Sequence, residues 1–265
     1  MNFERLKFRK INNARDLGGL PAEGGKRVKY GKLIRSSRLY KLPESTVKKL
    51  KDYGLTTVID LRSETEQREK PRTEIEGVKY INLPILTTST AGITGDQSMA
   101  HVIFAESRHL KDEYGDADSY MRAMYADVLF NKDSIPKLKK FFDILLEDDG
   151  CVLWLCNQGK DRTGILAMLA EGALGVDEET IGLDYVASGR FLRHKRRIQK
   201  TGIFIVPCPL RIKKMLNALI NVKPQYIKGA IEIIKEKCGS IPEYCKQILG
   251  LTEDKLKALK DKYLE

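Results

Sequence analysis

The stretch "GCVLWL" at 150–155 is continuously apolar, and "RTGILAMLAEGALG" at 162–175 is apolar around most of a helical circumference. The first predicts a strand buried on both faces, the second a buried helix ending at Gly175. Only the tight, glycine-bearing loop "CNQGKD" separates them. A strand and a helix that both lack a solvent face must lie inside a layered α/β structure, so this junction restricts the fold more than any other stretch.

The rest of the chain agrees with an alternation of strands and helices. Residues 26–36 predict two short strands around a turn at Gly31. Residues 45–53 predict a helix closed by "DYG", and "TTVIDL" at 56–61 a buried strand. "VKYINLPI" at 78–85 alternates and ends at a proline, which predicts another strand. Residues 87–118 turn polar and lose periodicity, and are expected to be an inserted loop or lid. A helix is expected over 134–147 with Ser134 as its cap. The chain from Gln225 onward reads as helical, its last helix capped near Thr252. Alternation of this kind implies a central, mostly parallel sheet flanked by helices, with a helical C-terminal region, in a single domain over 1–265.

Composition sets limits on function. No apolar run approaches the roughly 18 to 20 residues of a membrane-spanning helix, and "MNFERLKFRK" is followed by no apolar leader core. Five cysteines, an odd number without CxxC pairing, favour reduced thiols over a disulfide framework or zinc site. The expected compartment is the cytoplasm, or the secreted fraction had a leader peptide been removed. The net charge of +11 is concentrated: residues 185–231 hold eleven Lys and Arg and no Asp or Glu. Such a block suits a polyanionic ligand or an anionic membrane surface, or else is a solvated helix face. Nucleic acid, which the charge alone would also suit, is not expected as a partner.

The loop carries chemistry. Strand, tight loop and helix together direct backbone N–H groups and a positive helix end at an anion. The amides from Asn157 to Arg162 can share one concavity, with Gly159 allowing the sharp turn and Cys156 at its floor. Helix N-termini and nearby cations favour the thiolate of a cysteine, the form that attacks phosphorus. Arg162 would hold two nonbridging oxygens through its planar fork. Thr163 can donate to the sulfur when it leaves as thiolate. Other readings fail on spacing: a Walker A loop needs glycine at 154 and Ser or Thr at 161, where the chain has Trp154 and Asp161. A structural buried thiol is the bland alternative for Cys156.

"CNQGKDRTG" resembles the signature loop of the cysteine-dependent phosphatases. "NARDLGG" at 13–19, "IDLRS" at 59–63, "DYVASGRFL" from Asp184 and the C-terminal helical region resemble, in order, motifs of the bacterial and fungal tyrosine-phosphatase-like family with dual protein and phosphoinositide activity. The resemblance implies the cysteine-dependent protein-tyrosine-phosphatase fold, with Cys156 as nucleophile, Arg162 as phosphate clamp and Asp161 as general acid. It places Asn157, Gln158, Gly159, Lys160 and Thr163 around the substrate, Lys160 serving a further phosphate or an inositol headgroup. Asp60 is expected to orient Arg162 or share the acid role, or else to pair with Arg15 or Arg62. Arg15 and Asp16 are expected to form a structural pair beside the pocket. The family's histidine before the nucleophile is Leu155 here. The reading is phosphomonoester hydrolysis of phosphotyrosine protein or phosphoinositide without metal or other cofactor. The alternative is a phosphate-binding pseudophosphatase that turns over poorly.

Overall fold

Among the described residues, five strands form one sheet in the order β1-β2-β5-β3-β4. They are β1 (Arg15–Asp16), β2 (Leu33–Ser37), β3 (Leu55–Asp60), β4 (Lys79–Asn82) and β5 (Cys151–Cys156). Only the β1–β2 pair is antiparallel; β5 lies at the centre, parallel to β2 and β3. The computed structural model describes residues 3, 5–85 and 116–265.

The burial of β5 on both faces follows from its alternation. Val152, Trp154 and Cys156 enter the larger core, while Cys151, Leu153 and Leu155 enter a smaller one with Phe8, Ile11, Ile34, Leu50 and Val58. The smaller core is closed by the N-terminal segment and α1 (Glu44–Asp52). The larger is closed by α3 (Ala117–Phe130), α4 (Ile135–Glu147), α5 (Arg162–Ala173), α6 (Glu178–Phe191), α9 (Pro224–Cys238), α10 (Ile241–Gln247) and α11 (Glu253–Tyr263). The short α2 (Glu64–Glu69) follows β3, and α7 (Arg193–Ile205) and α8 (Leu210–Ile220) form a hairpin between α6 and α9. Among the described residues no helix is long and apolar enough to cross a membrane.

Every residue of α5 from Thr163 to Ala173 is buried, as its uniform apolarity requires. Thr252 caps α11 by accepting from the Lys255 amide. Two expectations need correction. Of the two strands expected over 26–36 only β2 forms, because Arg27 and Val28 make isolated bridges to Pro21 and Leu264 instead. Ser134 precedes α4 but does not cap it: its backbone is already helical, and its hydroxyl is buried without a partner. The segment expected over 87–118 lies outside the described residues except for its end, where Asp116 caps α3 by accepting from the amides of Asp118 and Ser119.

Candidate active site

The parallel register carries β5 one residue beyond β3, so Cys156, opposite Ser37, stands at the C-terminal edge of the sheet. Its side chain is 4 % exposed. The chain then turns through Gly159, at φ +69°, where a Cβ would lie 2.4 Å from the Ser36 carbonyl oxygen. Only glycine fits that approach and that backbone conformation together. The Gly159 amide donates to Cys156 Sγ at 3.3 Å. The loop carbonyls are pinned from behind. Asn13 Nδ2 donates to those of Gln158 and Gly159 at 3.2 and 2.7 Å, and Arg35 Nη2 to that of Gly159 at 3.1 Å. Because each peptide is planar and trans, a carbonyl held outward turns the following amide inward.

A buried charge network fixes those pins. Asn13 adopts φ +55°, a conformation asparagine tolerates better than most residues, and its Oδ1 accepts from Arg15 Nη1 at 2.6 Å. Arg15 and Arg35 both pair with Asp184 of α6, and all three are inaccessible to solvent. Ser188, one turn later, accepts from Arg15 and from Asn13. Arg15 and Asp16 therefore do not form the expected pair. Asp16 instead accepts from the Gly18 and Gly31 amides and from the Tyr53 hydroxyl, closing the turn beside β1. Burial raises the carboxyl of Glu171 on α5 well above its ordinary range, and the neighbouring Asp184 adds to it. Burial also opposes ionisation of Asp184, but Arg15 and Arg35 outweigh it and hold its carboxyl low. As a carboxylate Glu171 would leave both oxygens unbonded; protonated, it can donate to Asp184.

Arg162 opens α5 and is held by a residue that the sequence reading did not select. Glu66 of α2 accepts from Arg162 Nη1 and Nη2 at 2.8 and 2.7 Å, and the Leu61 carbonyl accepts from Nη1 at 3.0 Å. Glu66, the third residue of α2, also closes a capping box with Ser63. The Ser63 amide donates to its carboxylate at 2.7 Å, and its own amide donates to Ser63 Oγ. Asn157 Nδ2 donates to the same carboxylate at 2.6 Å. Burial would raise the pKa of Glu66, but Arg162 and the Ser63 amide outweigh it and hold it below the usual range. Likewise burial pulls that of Arg162 down, and Glu66 more than restores it.

Asp60 follows the second of its two expected courses, a pair with Arg62, and does not reach Arg162. Its carboxylate is taken up by Arg62, with Nη2 donating at 2.7 Å and Nε at 3.0 and 3.1 Å. The orientation of Arg162 thus falls to Glu66. The pair Asp60–Arg62 is fully buried and braces the turn after β3, where Arg62 also donates to the Lys70 carbonyl.

Asp161 precedes α5 with its carboxylate between two donors. Tyr125 of α3 donates at 2.7 Å, and Lys160 Nζ lies 2.9 and 2.7 Å from the two oxygens. Lys160 is buried, whereas the Asp161 side chain is 27 % exposed. Tyr125 Oη also lies 2.7 Å from Tyr185 Oη. Since the Tyr125 proton is directed to Asp161, Tyr185 is the donor there. Burial, then the charge of Asp161, raises the pKa values of both phenols and keeps them as donors. The Thr163 hydroxyl is buried but has no hydrogen-bond partner, so the expected bond to sulfur is not formed in this state. Its carbonyl accepts from Trp154 Nε1 at 3.1 Å and ties helix to strand. Leu155 packs in the smaller core, on the face of β5 away from Cys156. Among the described residues no group of three or more His, Cys, Asp or Glu side chains is placed to hold a metal ion.

Glu66, Asn13, Arg35, Asp184 and Tyr125 were thus not selected as site residues. The "SETE" spacing at 63–66 signals a capping box, but nothing in it points to an arginine 96 positions later. Asn13 and Asp184 lie within motifs that carried the resemblance. Tyr125 has no local signal.

A thiol at the edge of a mostly parallel sheet, beneath a loop amide and in the loop that leads to a carboxylate-locked arginine, makes this an α/β protein with a candidate anion-binding loop. The model of the tyrosine phosphatase family matches residues 6–265; the chain belongs to that family and is a phosphatase. A Cupriavidus necator protein provisionally named a tyrosine-protein phosphatase is 26% identical over 248 residues, covering 92% of this chain and 84% of that protein. The triple specificity protein phosphatase PtpB of Mycobacterium tuberculosis is 26% identical over 250 residues, covering 82% and 85%. The crystal structure of P. aeruginosa TpbA aligns over 64% of this chain and 83% of that one at 17% identity, with a TM-score of 0.29, too low to carry an argument.

Proposed function

We propose that the chain hydrolyses phosphomonoesters through a phosphocysteine, with phosphotyrosine protein and phosphoinositide as substrates. The observation that carries this reading is the Cys156 sulfur beneath the Gly159 amide, at the mouth of a loop whose carbonyls are pinned outward. The Cys156 thiolate attacks phosphorus, the bond to the leaving oxygen breaks, and Asp161 supplies the proton that oxygen needs. Water then attacks phosphorus, returns a proton to Asp161 and releases phosphate and the thiolate. Arg162 meets two of the three equatorial oxygens in both steps, its guanidinium held in place by Glu66.

In the resting site Lys160 is paired with Asp161. A phosphate dianion entering the loop competes for that ammonium. Once Lys160 turns to the phosphate, its pair with Asp161 is broken and both side chains are free to meet the substrate. Lys160, a second cation in the loop beside Arg162, supports substrates that include a multiply phosphorylated headgroup.

The test is turnover of an aryl phosphate with and without vanadate, which mimics the trigonal-bipyramidal phosphorus. Cys156→Ser is expected to abolish turnover while retaining phosphate-ester binding, and Arg162→Lys to lower it at least ~100-fold, because a point charge cannot span two oxygens. Near-normal turnover by Cys156→Ser would overturn the reading.

A further inference from the structure

Helices α7 and α8 form a hairpin with its own small core, in which Ile203, Leu216 and Ile220 are buried. That pairing uses one face of each helix. Elsewhere on the hairpin Ile198 is 61%, Phe204 79%, Ile205 72% and Leu210 69% exposed. Ile198 and Ile205 are seven residues apart on α7 and share one stripe. Phe204, Ile205 and Leu210 flank the turn at 206–209, so three large apolar side chains protrude at one tip. Single exposed apolar residues are ordinary on a protein surface, but a cluster of this size marks a contact.

The charged side chains along the hairpin have one sign. Arg193, Arg197, Lys200 and Lys214 are exposed, and no Asp or Glu occurs anywhere in 185–231. Arg196 differs, because it clamps the hairpin to its base through the Gly189 carbonyl and Asn221 Oδ1 at 3.2 and 2.8 Å. The hairpin also leaves the fold near the cradle. Ser188, in the last turn of α6, contacts Arg15 and Asn13, the residues behind the Cys156 loop.

We propose that this tip is a docking surface for anionic membranes. Phe204, Ile205 and Leu210 enter the boundary between headgroups and acyl chains, while Arg193, Arg197 and Lys200 meet anionic headgroups. Protruding apolar side chains ringed by cations match an interfacial helix, whose binding sums apolar burial and attraction to anionic lipid. A groove-binding protein partner would need a concave apolar surface, and the exposed residues lie on a projection. Docking would hold the cradle close to lipid phosphomonoesters; that consequence rests on the proposed phosphatase reading, whereas docking itself does not.

The experiment is co-sedimentation of the full chain with phosphatidylcholine vesicles, with and without phosphatidylserine. The wild type is expected to bind the phosphatidylserine vesicles, and to lose about 10-fold in partition at high salt as headgroup attraction is screened. A Phe204→Ser, Ile205→Ser, Leu210→Ser variant is expected to lose about 10-fold or more in partition and to retain wild-type turnover of a soluble aryl phosphate. Arg193→Glu, Arg197→Glu, Lys200→Glu is expected to lose the phosphatidylserine preference. Cys156→Ser is expected to bind vesicles as the wild type does, which separates docking from catalysis. A wild type that ignores phosphatidylserine vesicles would overturn the proposal and leave an acidic protein as the occupant. Equal binding by the serine variant would overturn it as well.

Discussion

Glu66 and Arg162 are joined by two hydrogen bonds, 2.8 and 2.7 Å, although 96 residues separate them in the chain. The same carboxylate closes the capping box of α2 and accepts from Asn157 in the loop. One side chain therefore couples a helix N-terminus, the loop after Cys156 and Arg162.

Glu66→Gln is expected to lower aryl phosphate turnover about 10-fold or more, because an amide cannot accept both guanidinium bonds. Removing one partner of a buried pair costs about 3 kcal/mol or more, readable in urea unfolding. The pKa of Glu66 in the folded state lies below its ordinary value. Its contribution to stability is therefore present above the unfolded carboxyl pKa, about 4.3, and lost as pH falls through the folded value. Acid unfolding of the variant should begin from lower stability and show a shallower dependence on pH in that window.

Glu171 has the opposite sign. Its folded carboxyl is raised by burial and by Asp184, so the native state keeps a proton that the unfolded chain gives up above about pH 4.3. Its favourable contribution is complete below that pH and erodes as pH rises toward the folded value. Glu171→Gln, which keeps a donor toward Asp184, is expected to gain stability relative to the wild type progressively between pH 5 and pH 8. Urea midpoints measured across that range give the comparison; a constant difference would mean that Glu171 is ionised in the fold.

Asp161 and Tyr125 should separate substrates by leaving group. A phenolate leaves with little help, whereas an alkoxide, as from an inositol, needs its proton early. Asp161→Asn is expected to slow an alkyl phosphate at least ~10-fold more than an aryl phosphate. Tyr125→Phe, which removes one donor to Asp161, should show the same ordering with a smaller loss. A uniform loss across leaving groups would place Asp161 in binding alone.

Leu155→His tests whether the residue before the nucleophile acts on it. The leucine is completely buried among apolar side chains, on the face opposite Cys156. An imidazole there is expected to cost about 1–3 kcal/mol of stability and to leave the pH dependence of Cys156 alkylation by iodoacetamide unchanged. A shifted alkylation profile in a folded variant would show that the neighbour does tune the thiol.

The local chemistry of this protein was legible in its sequence because it is carried by neighbours in the chain. The apolar hexamer, Gly159 and the apolar helix from Arg162 determine strand, turn and helix within a few residues. Cys156 and Arg162 follow from that geometry, and the "NARDLGG" resemblance singled out Arg15, though not its partner, and passed over Asn13 in the same motif. Asp60 shows the limit: an aspartate at a strand end has several arginines within reach, and only the packed turn after β3 decides for Arg62. Glu66 holds Arg162 because β3 and β5 are neighbours in the sheet, which brings α2 against the loop. Asp184 meets Arg15 and Arg35 because α6 packs back against α5, and Tyr125 meets Asp161 because α3 packs there as well. Periodicity and spacing describe which face of an element is apolar, but the partner of a buried charge is selected by desolvation, which acts only once the elements have packed.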